Sequence, residues 1–318
     1  MHSEAPQVFV SGVTGFVGGH IYRYLSGRGL KVAGSGRSSG QTHDAWVALD
    51  EHSDLSEFKQ ALAGVEWLVH AAGKAHVFSA EANRDETFYP GNILFTQKLM
   101  RAACEVGVKA IVHISSVSVY AAGKTSFIDS TMAVQPDSAY GSSKLKAETA
   151  AEQICRSLSV PLVTLRLPLV YGANPKGNMQ RLLGLVDSGF PLPLGGVRNA
   201  RSLLSINNLS HFIARLIGTP EIVSGTFVLA DAERLSTPEI IKALAMGMGR
   251  PYRVFPFPLT LLSALARLAG RKQALDKLCG SLIVDAGDLY RTFDWLPPFN
   301  TKNELIEMAR GFAMERKG

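Results

Sequence analysis

Tyr140-Gly-Ser-Ser-Lys144 sets a phenol and an ammonium four residues apart, a spacing that puts both on one face of a helix. There the cation can stabilise the phenolate and ready it for proton transfer. Far upstream, Gly12-Val-Thr-Gly15-Phe-Val-Gly18 supplies the complementary part, a backbone seat for a dinucleotide. Its glycines let the chain turn sharply and approach a pyrophosphate, and the helix that follows aims unpaired N–H groups at the anion. No Gly-Lys-Ser/Thr follows, so the loop is not of the nucleoside-triphosphate type. Ser115-Ser116 ends an apolar run, with Tyr140 24 residues beyond Ser116. A serine hydroxyl there can hold a substrate oxygen while Tyr140 gives or takes the proton and Lys144 supplies positive charge. Together these groups suit interconversion of a secondary alcohol and a ketone.

The second apolar run ends Ser35-Gly36-Arg37, with no acid before Asp44. A carboxylate about 20 residues past the glycine loop binds the ribose 2′-hydroxyl of NAD, whereas a guanidinium suits the 2′-phosphate of NADP. Arg37 therefore makes NADP the preferred cofactor over NAD, with stacking on adenine as its other role. Asp54-Leu55 either borders the adenine pocket or opens a helix, Asp54 being its cap.

Positioning such groups takes strands alternating with helices. Apolar runs at 7–11, 30–35, 65–72, 110–115 and 160–167 read as buried strands, and 16–25, 55–63, 93–106 and 142–157 as helices. The pattern predicts an α/β fold, a doubly wound parallel sheet covered on both faces. Beyond residue 167, Pro168, Gly172, Pro175, Gly177, Pro191, Pro193, Gly195 and Gly196 mark long loops around a helix at 179–188. A strand at 226–230 rejoins the sheet, and from Thr237 the chain is mostly helical. The expected division is a dinucleotide-binding domain at 1–170 with 204–234, and a smaller, mostly helical substrate lobe at 171–203 with 235–318.

With 318 residues, 46% apolar and 19% charged, the chain reads as an ordinary soluble globule. Its net charge of +6 is spread without any basic run longer than a pair, which argues against nucleic acid as a partner. Cys104, Cys155 and Cys279 read as reduced packing residues. The eight histidines show no His-x-x-x-His pairing, so no metal is expected. The N-terminus shows no secretory signal, and the expected location is cytoplasmic. The apolar stretch 254–269 is broken by Pro256, Pro258 and Arg267 and is too short to span a bilayer. A buried or amphipathic helix is expected there, with peripheral membrane contact the lesser alternative.

In order, Gly12 to Gly18, His70-Ala-Ala-Gly73, Asn92, Ser115-Ser-Val-Ser-Val-Tyr120, Tyr140 to Lys144, Arg166-Leu-Pro-Leu-Val-Tyr-Gly172, Arg201-Ser-Leu-Leu-Ser and Asp294-Trp-Leu-Pro297 cover nearly the whole chain. This series resembles the extended branch of the short-chain dehydrogenase/reductase superfamily, the nucleotide-sugar epimerases, dehydratases and reductases with a Rossmann domain. The resemblance implies a catalytic triad of Ser116, Tyr140 and Lys144. It implies cofactor contacts from Gly12, Thr14, Gly15, Phe16, Val17, Gly18, Ala71, Ala72, Gly73, Pro168 and Val170, with Tyr140 and Lys144 on the nicotinamide side. For a UDP-sugar it implies Asn178 and Arg201 on the diphosphate, Leu192 in the segment 190–194 on uracil, and Ser116 on the sugar. Arg291 is a second phosphate contact or a surface helix charge. Asn92 is a structural amide or an active-site one, and Asn207-Asn208 stand where many relatives carry an acid.

His76 after Gly73-Lys-Ala75, with Phe190-Pro-Leu-Pro-Leu-Gly195, resembles 4-ketohexose reductases of bacterial surface-polysaccharide synthesis. The implied reaction is NADPH reduction of a UDP-4-keto-6-deoxy-N-acetylhexosamine at C4. Arg37, and Ala121 after Tyr120, depart from the pattern of tight-NAD 4-epimerases, which are the alternative; a non-enzymatic dinucleotide sensor is the third reading. No paired acid beside Ser115-Ser116 supports a dehydratase. Relatives often dimerise through the helices after Ile93 and around Tyr140, which implies a homodimer.

Overall fold

The computed structural model describes residues 6–37, 46–74, 85–121 and 126–316; Asp44 and His76 lie outside them. The first half runs β1 (Val8–Ser11), α1 (Phe16–Gly27), β2 (Val32–Gly36), β3 (Trp46–Ala48), α2 (Leu55–Ala61), β4 (Trp67–His70), α3 (Phe95–Val106), β5 (Ala110–Ser116), β6 (Phe127–Ile128) and α4 (Ala139–Ser157). The second runs β7 (Leu162–Leu167), β8 (Leu169–Tyr171), α5 (Asn178–Asp187), β9 (Arg201–Ser205), α6 (Ile206–Ile217), β10 (Gly225–Val228), β11 (Arg234–Leu235), α7 (Thr237–Met248), α8 (Leu259–Leu268), α9 (Lys272–Cys279), β12 (Ile283–Val284), α10 (Gly287–Thr292) and α11 (Thr301–Glu315).

Among the described residues, seven strands form one parallel sheet in the order β3-β2-β1-β4-β5-β7-β10. Chain direction across the sheet reverses between β1 and β4, the point where α/β sheets open a crevice at their carboxyl edge. This is the doubly wound α/β fold of the Rossmann type, with a largely helical C-terminal region. The inner strands bury both faces. In β1, Val8 and Val10 pack with Ile21, Leu25, Phe212 and Ile213 of α1 and α6, while Phe9 packs with Phe58, Phe95 and Leu99 of α2 and α3. A third cluster joins Tyr171, Leu183, Leu203, Leu244 and Leu305 in the C-terminal region. Leu289 and Trp295 nevertheless belong to the first cluster, so the last part of the chain also packs against the sheet.

Two buried networks tie these layers together. Arg166 on β7 chelates Glu148 on α4 through Nε at 3.2 Å to both carboxylate oxygens and through a second nitrogen at 2.7 Å. Its remaining nitrogen donates to the hydroxyl of Tyr120 at 2.7 Å. In the second network, buried Asp231 accepts from Ser205 N, Asn208 Nδ2, Tyr171 Oη and Thr301 Oγ1. Asn208 is thus the donor in a buried contact whose carboxylate is Asp231. Burial raises Asp231 to about 6 against these hydrogen bonds.

Removing one partner of a buried, hydrogen-bonded ion pair strands the other charge. Glu148→Ala is therefore expected to lower stability by about 3–5 kcal/mol. Arg250→Ala, which removes the exposed pair with Asp187, should lower it by less than about 1 kcal/mol. Urea unfolding of the two variants checks the contrast.

Candidate active site

The carboxyl ends of β1, β4 and β5 bring the glycine loop, the 71–73 loop and the serine pair to one edge. Gly12 sits at φ +79°, and a Cβ there would lie 2.8 Å from both N and Cα of Ala72. A Cβ on Gly18 would stand 2.3 Å from the Gly12 carbonyl oxygen. These glycines allow β1, α1 and the loop after β4 to close on one another. Gly15 caps α1 without a side-chain hydrogen bond, and the first turn carries no acid, which leaves its positive end to a ligand. Thr14 is exposed, with Phe16 and Val17 half-buried beside it. The residues present fit the pyrophosphate of a dinucleotide.

Groups that sequence reading gave no role hold the 71–73 loop in place. Ala72 N donates to Ser11 Oγ at 3.2 Å, Ser11 Oγ meets His70 Nδ1 at 2.7 Å, and His70 Nε2 meets Thr96 Oγ1 at 2.8 Å. Thr96 donates in turn to Asn92 O, so it accepts from His70, whose proton therefore sits on Nε2. Burial, with Lys144 nearby, holds His70 down to about 3, and it stays neutral. The only sequence signal was a polar residue closing each of two apolar strands. Asn92 is a structural amide: its oxygen accepts from Lys74 N, and Nδ2 donates to Lys74 O and Ser143 Oγ.

The helix that carries Tyr140 and Lys144, α4, starts at Ala139, earlier than its periodicity suggested, because Ser138 caps it by accepting from Gly141 N. A Cβ on Gly141 would fall 2.1 Å from Ser118 O, so this glycine lets the helix start dock on the turn after Ser116. Ser116 Oγ accepts from Ser118 N and donates to Ser118 Oγ, both at 3.1 Å, and lies close enough to Tyr140 to pull its pKa down. Lys144 is buried, and its Nζ donates to Ile114 O at 2.7 Å. Lys144 Nζ would also stand 3.9 Å from a Cβ on Gly73. Ser116, Tyr140, Lys144 and the cofactor loops therefore form one continuous site.

Burial dominates the electrostatics of this pair. It raises Tyr140 above the ordinary phenol value, with Ser116 opposing the rise. Burial also brings Lys144 down to about 8, against the opposing pull of Glu148. In this state Tyr140 is a neutral phenol, suited to donating a proton.

At the adenine end, Arg37 is exposed just past β2, and neither Ser35 nor Gly36 offers a carboxylate. A Cβ on Gly36 would lie 2.7 Å from Thr14 Cγ2, so Arg37 adjoins the glycine loop. Asp54 caps α2 in a reciprocal capping box with Glu57, and Leu55 is half-buried. Asp50, which sequence reading passed over, lies nearer the sheet edge, two residues past β3. Its carboxylate accepts from His52 N and Ser53 N. Pro168 is buried between β7 and β8, and Val170 pairs with Leu204.

The substrate positions are less uniform. Arg201 donates to the carbonyls of Lys277 and Gly280 at 2.6 and 2.9 Å. Burial lowers its pKa, and no carboxylate among the described residues pairs with it, which leaves a cation for an anionic ligand. Asn178 is exposed at the start of α5. Leu192, in the segment expected to read a base, has a paired backbone. Its N–H donates to Arg253 O and its carbonyl accepts from Phe255 N, so both groups are occupied by strand-like pairing. Arg291 is a surface helix charge, 78% exposed and 3.9 Å from Asp288.

The model of the NAD dependent epimerase/dehydratase family matches residues 8–226. A UDP-glucose 4-epimerase of Vibrio cholerae is 30% identical over 314 residues, covering 96% of this chain and 95% of that protein. A dTDP-4-dehydro-6-deoxy-D-allose reductase of Streptomyces is 24% identical, covering 82% and 87%. The crystal structure of a UDP-glucuronic acid 4-epimerase from Bacillus cereus in complex with NAD superposes with a TM-score of 0.75 at 19% identity, covering 97% and 98%.

Two outcomes test the site. Gly12→Ala would force a left-handed backbone and a clash with Ala72, and is expected to weaken dinucleotide binding at least tenfold by fluorescence titration, about 1.4 kcal/mol. For Lys144, the folded value of about 8 lies below the ordinary 10.5. Between these values the unfolded chain binds more protons, so stability rises with pH. Lys144→Met should remove up to about 3 kcal/mol of that rise, read by denaturant unfolding across the window.

Proposed function

Because the chain belongs to the NAD dependent epimerase/dehydratase family, whose members here include nucleotide-sugar epimerases and reductases, we propose that it exchanges hydride at C4 of a UDP-linked sugar. The observation that carries this reading is Tyr140 near Ser116 on the same helix as buried Lys144, joined to the glycine cradle through Gly73 and Ala72. When bound, the dinucleotide supplies the carbon that gives or accepts hydride. Ser116 Oγ holds the sugar O4, Tyr140 Oη transfers its proton, and Lys144 stabilises charge on the phenolic oxygen as the proton leaves. The Arg201 guanidinium clamps the diphosphate, with Asn178 supporting it.

Reversible 4-epimerisation with NAD is the reading the relatives support, above all the Vibrio cholerae 4-epimerase matched along nearly its whole length. Net reduction of a UDP-4-keto-6-deoxy-N-acetylhexosamine by NADPH, as a step of surface-polysaccharide synthesis, is the second reading. It is favoured by exposed Arg37 at the acid-free end of β2 and by the neutral phenol of Tyr140. A cytoplasmic homodimer through α3 and α4 belongs to the same proposal.

Purified protein incubated with UDP-glucose and NAD should yield UDP-galactose without net nicotinamide reduction if it is the epimerase. With NADPH and the 4-keto sugar, stoichiometric loss of nicotinamide absorbance would mark the reductase. In whichever assay is productive, Tyr140→Phe should lower kcat by about 10²–10⁴ while leaving dinucleotide affinity within a few-fold. Full activity of Tyr140→Phe would discard the proton-transfer role.

A further inference from the structure

We propose that α8 and the segment leading into it form a docking surface for an anionic lipid bilayer. None of the ten residues of α8 is buried. Leu261, Leu265 and Leu268 follow at spacings of four and three, so they share one side of the helix, and they are 51%, 50% and 87% exposed. Tyr252 and Phe255, 44% and 41% exposed, extend the apolar surface ahead of the helix. A stripe of leucines left in water has a use only when something covers it.

Charge identifies what covers it. From Arg250 to Leu275 the sequence carries Arg250, Arg253, Arg267, Arg271 and Lys272 and not one Asp or Glu. Arg250 pairs with Asp187 and Lys272 with Asp276. Arg253, Arg267 and Arg271 have no carboxylate partner among the described residues. Leucines on one side, with arginines and aromatics around them, give the pattern of a helix lying in a membrane interface, its apolar face among the acyl chains and its cations at anionic headgroups. A second copy of the same surface would bring like charges together. The helix is too short to cross a bilayer, and no helix among the described residues is long and apolar enough to do so.

The surface adjoins the substrate region. Backbone pairing joins Arg253 and Phe255 to Leu192, and α9, which packs on α8, ends at the carbonyls that hold Arg201. Docking would therefore set the candidate diphosphate site close to the membrane plane, although the inference does not depend on which sugar is bound.

Full-length protein sedimented with phosphatidylglycerol/phosphatidylethanolamine vesicles tests it, with pure phosphatidylcholine vesicles as comparison. Co-sedimentation with the anionic vesicles is expected, weakened roughly tenfold or more on neutral vesicles or in about 0.5 M salt. Leu265→Asp and the pair Arg267→Glu with Arg271→Glu should each reduce it by a similar factor. These side chains are exposed, so unchanged circular dichroism and thermal unfolding will show that the fold is intact. Three results overturn the proposal: no binding to anionic vesicles, binding that ignores lipid charge, or binding that survives both variants. Concentration-dependent dimerisation lost in Leu265→Asp, without vesicle binding, would assign the surface to self-association and overturn it equally.

Discussion

The buried contact of Arg166 with Glu148 and Tyr120 governs the geometry of the whole site. Arg166 is on the sheet, Glu148 on the helix that carries Tyr140 and Lys144, and Tyr120 ends the turn that follows Ser116. The guanidinium fork has a fixed planar shape, so its bonds determine where α4 lies along β7 and how the serine turn meets both. Glu148 is also one helical turn beyond Lys144 and favours its charged form. One carboxylate thus anchors α4 and tempers the desolvation of Lys144. A buried pair of this kind adds little net stability, because desolvation offsets most of the attraction, and its value here is registration.

A second set of polar contacts performs the same service for the cofactor side. The chain from Ala72 N through Ser11, His70 and Thr96 to Asn92 O crosses from the 71–73 loop through β1 and β4 to the start of α3. Asn92 then spends its amide on Lys74 and Ser143, linking that loop to α4. The side chains of Ser11, His70, Asn92, Thr96 and Ser143 are buried and satisfied, and a connected polar network of this type specifies one arrangement where apolar packing would tolerate several. The backbone edge that would face a dinucleotide is thereby held rigid before any ligand arrives, which reduces the ordering required on binding.

Much of this was legible in the residues. Alternating apolar runs gave the parallel sheet, because strands buried on both faces need continuous apolar sequence. Gly12, Gly15 and Gly18 gave the tight junction of β1 with α1, and Tyr140 with Lys144 gave one helix face. The short strands β3, β6, β8, β9 and β12 were not legible, since segments of two to five residues carry no periodicity of their own and exist only through their partners. The same holds for Leu192, whose backbone groups proved to be occupied by a segment some sixty residues away.

The sequence by itself determined which chemical groups are present and at what local spacing: the glycine pattern, the phenol–amine pair, the acid-free end of the second strand and the acid-free basic stretch around α8. Those features are local, and local sterics or charge suffice to read them. Only the tertiary structure decided their environment. It showed that burial raises Tyr140 and brings Lys144 down to about 8, that Arg201 lacks a carboxylate among the described residues, and that the leucines of α8 face water. Burial and pairing are set by residues distant in the chain, so no window of sequence contains them.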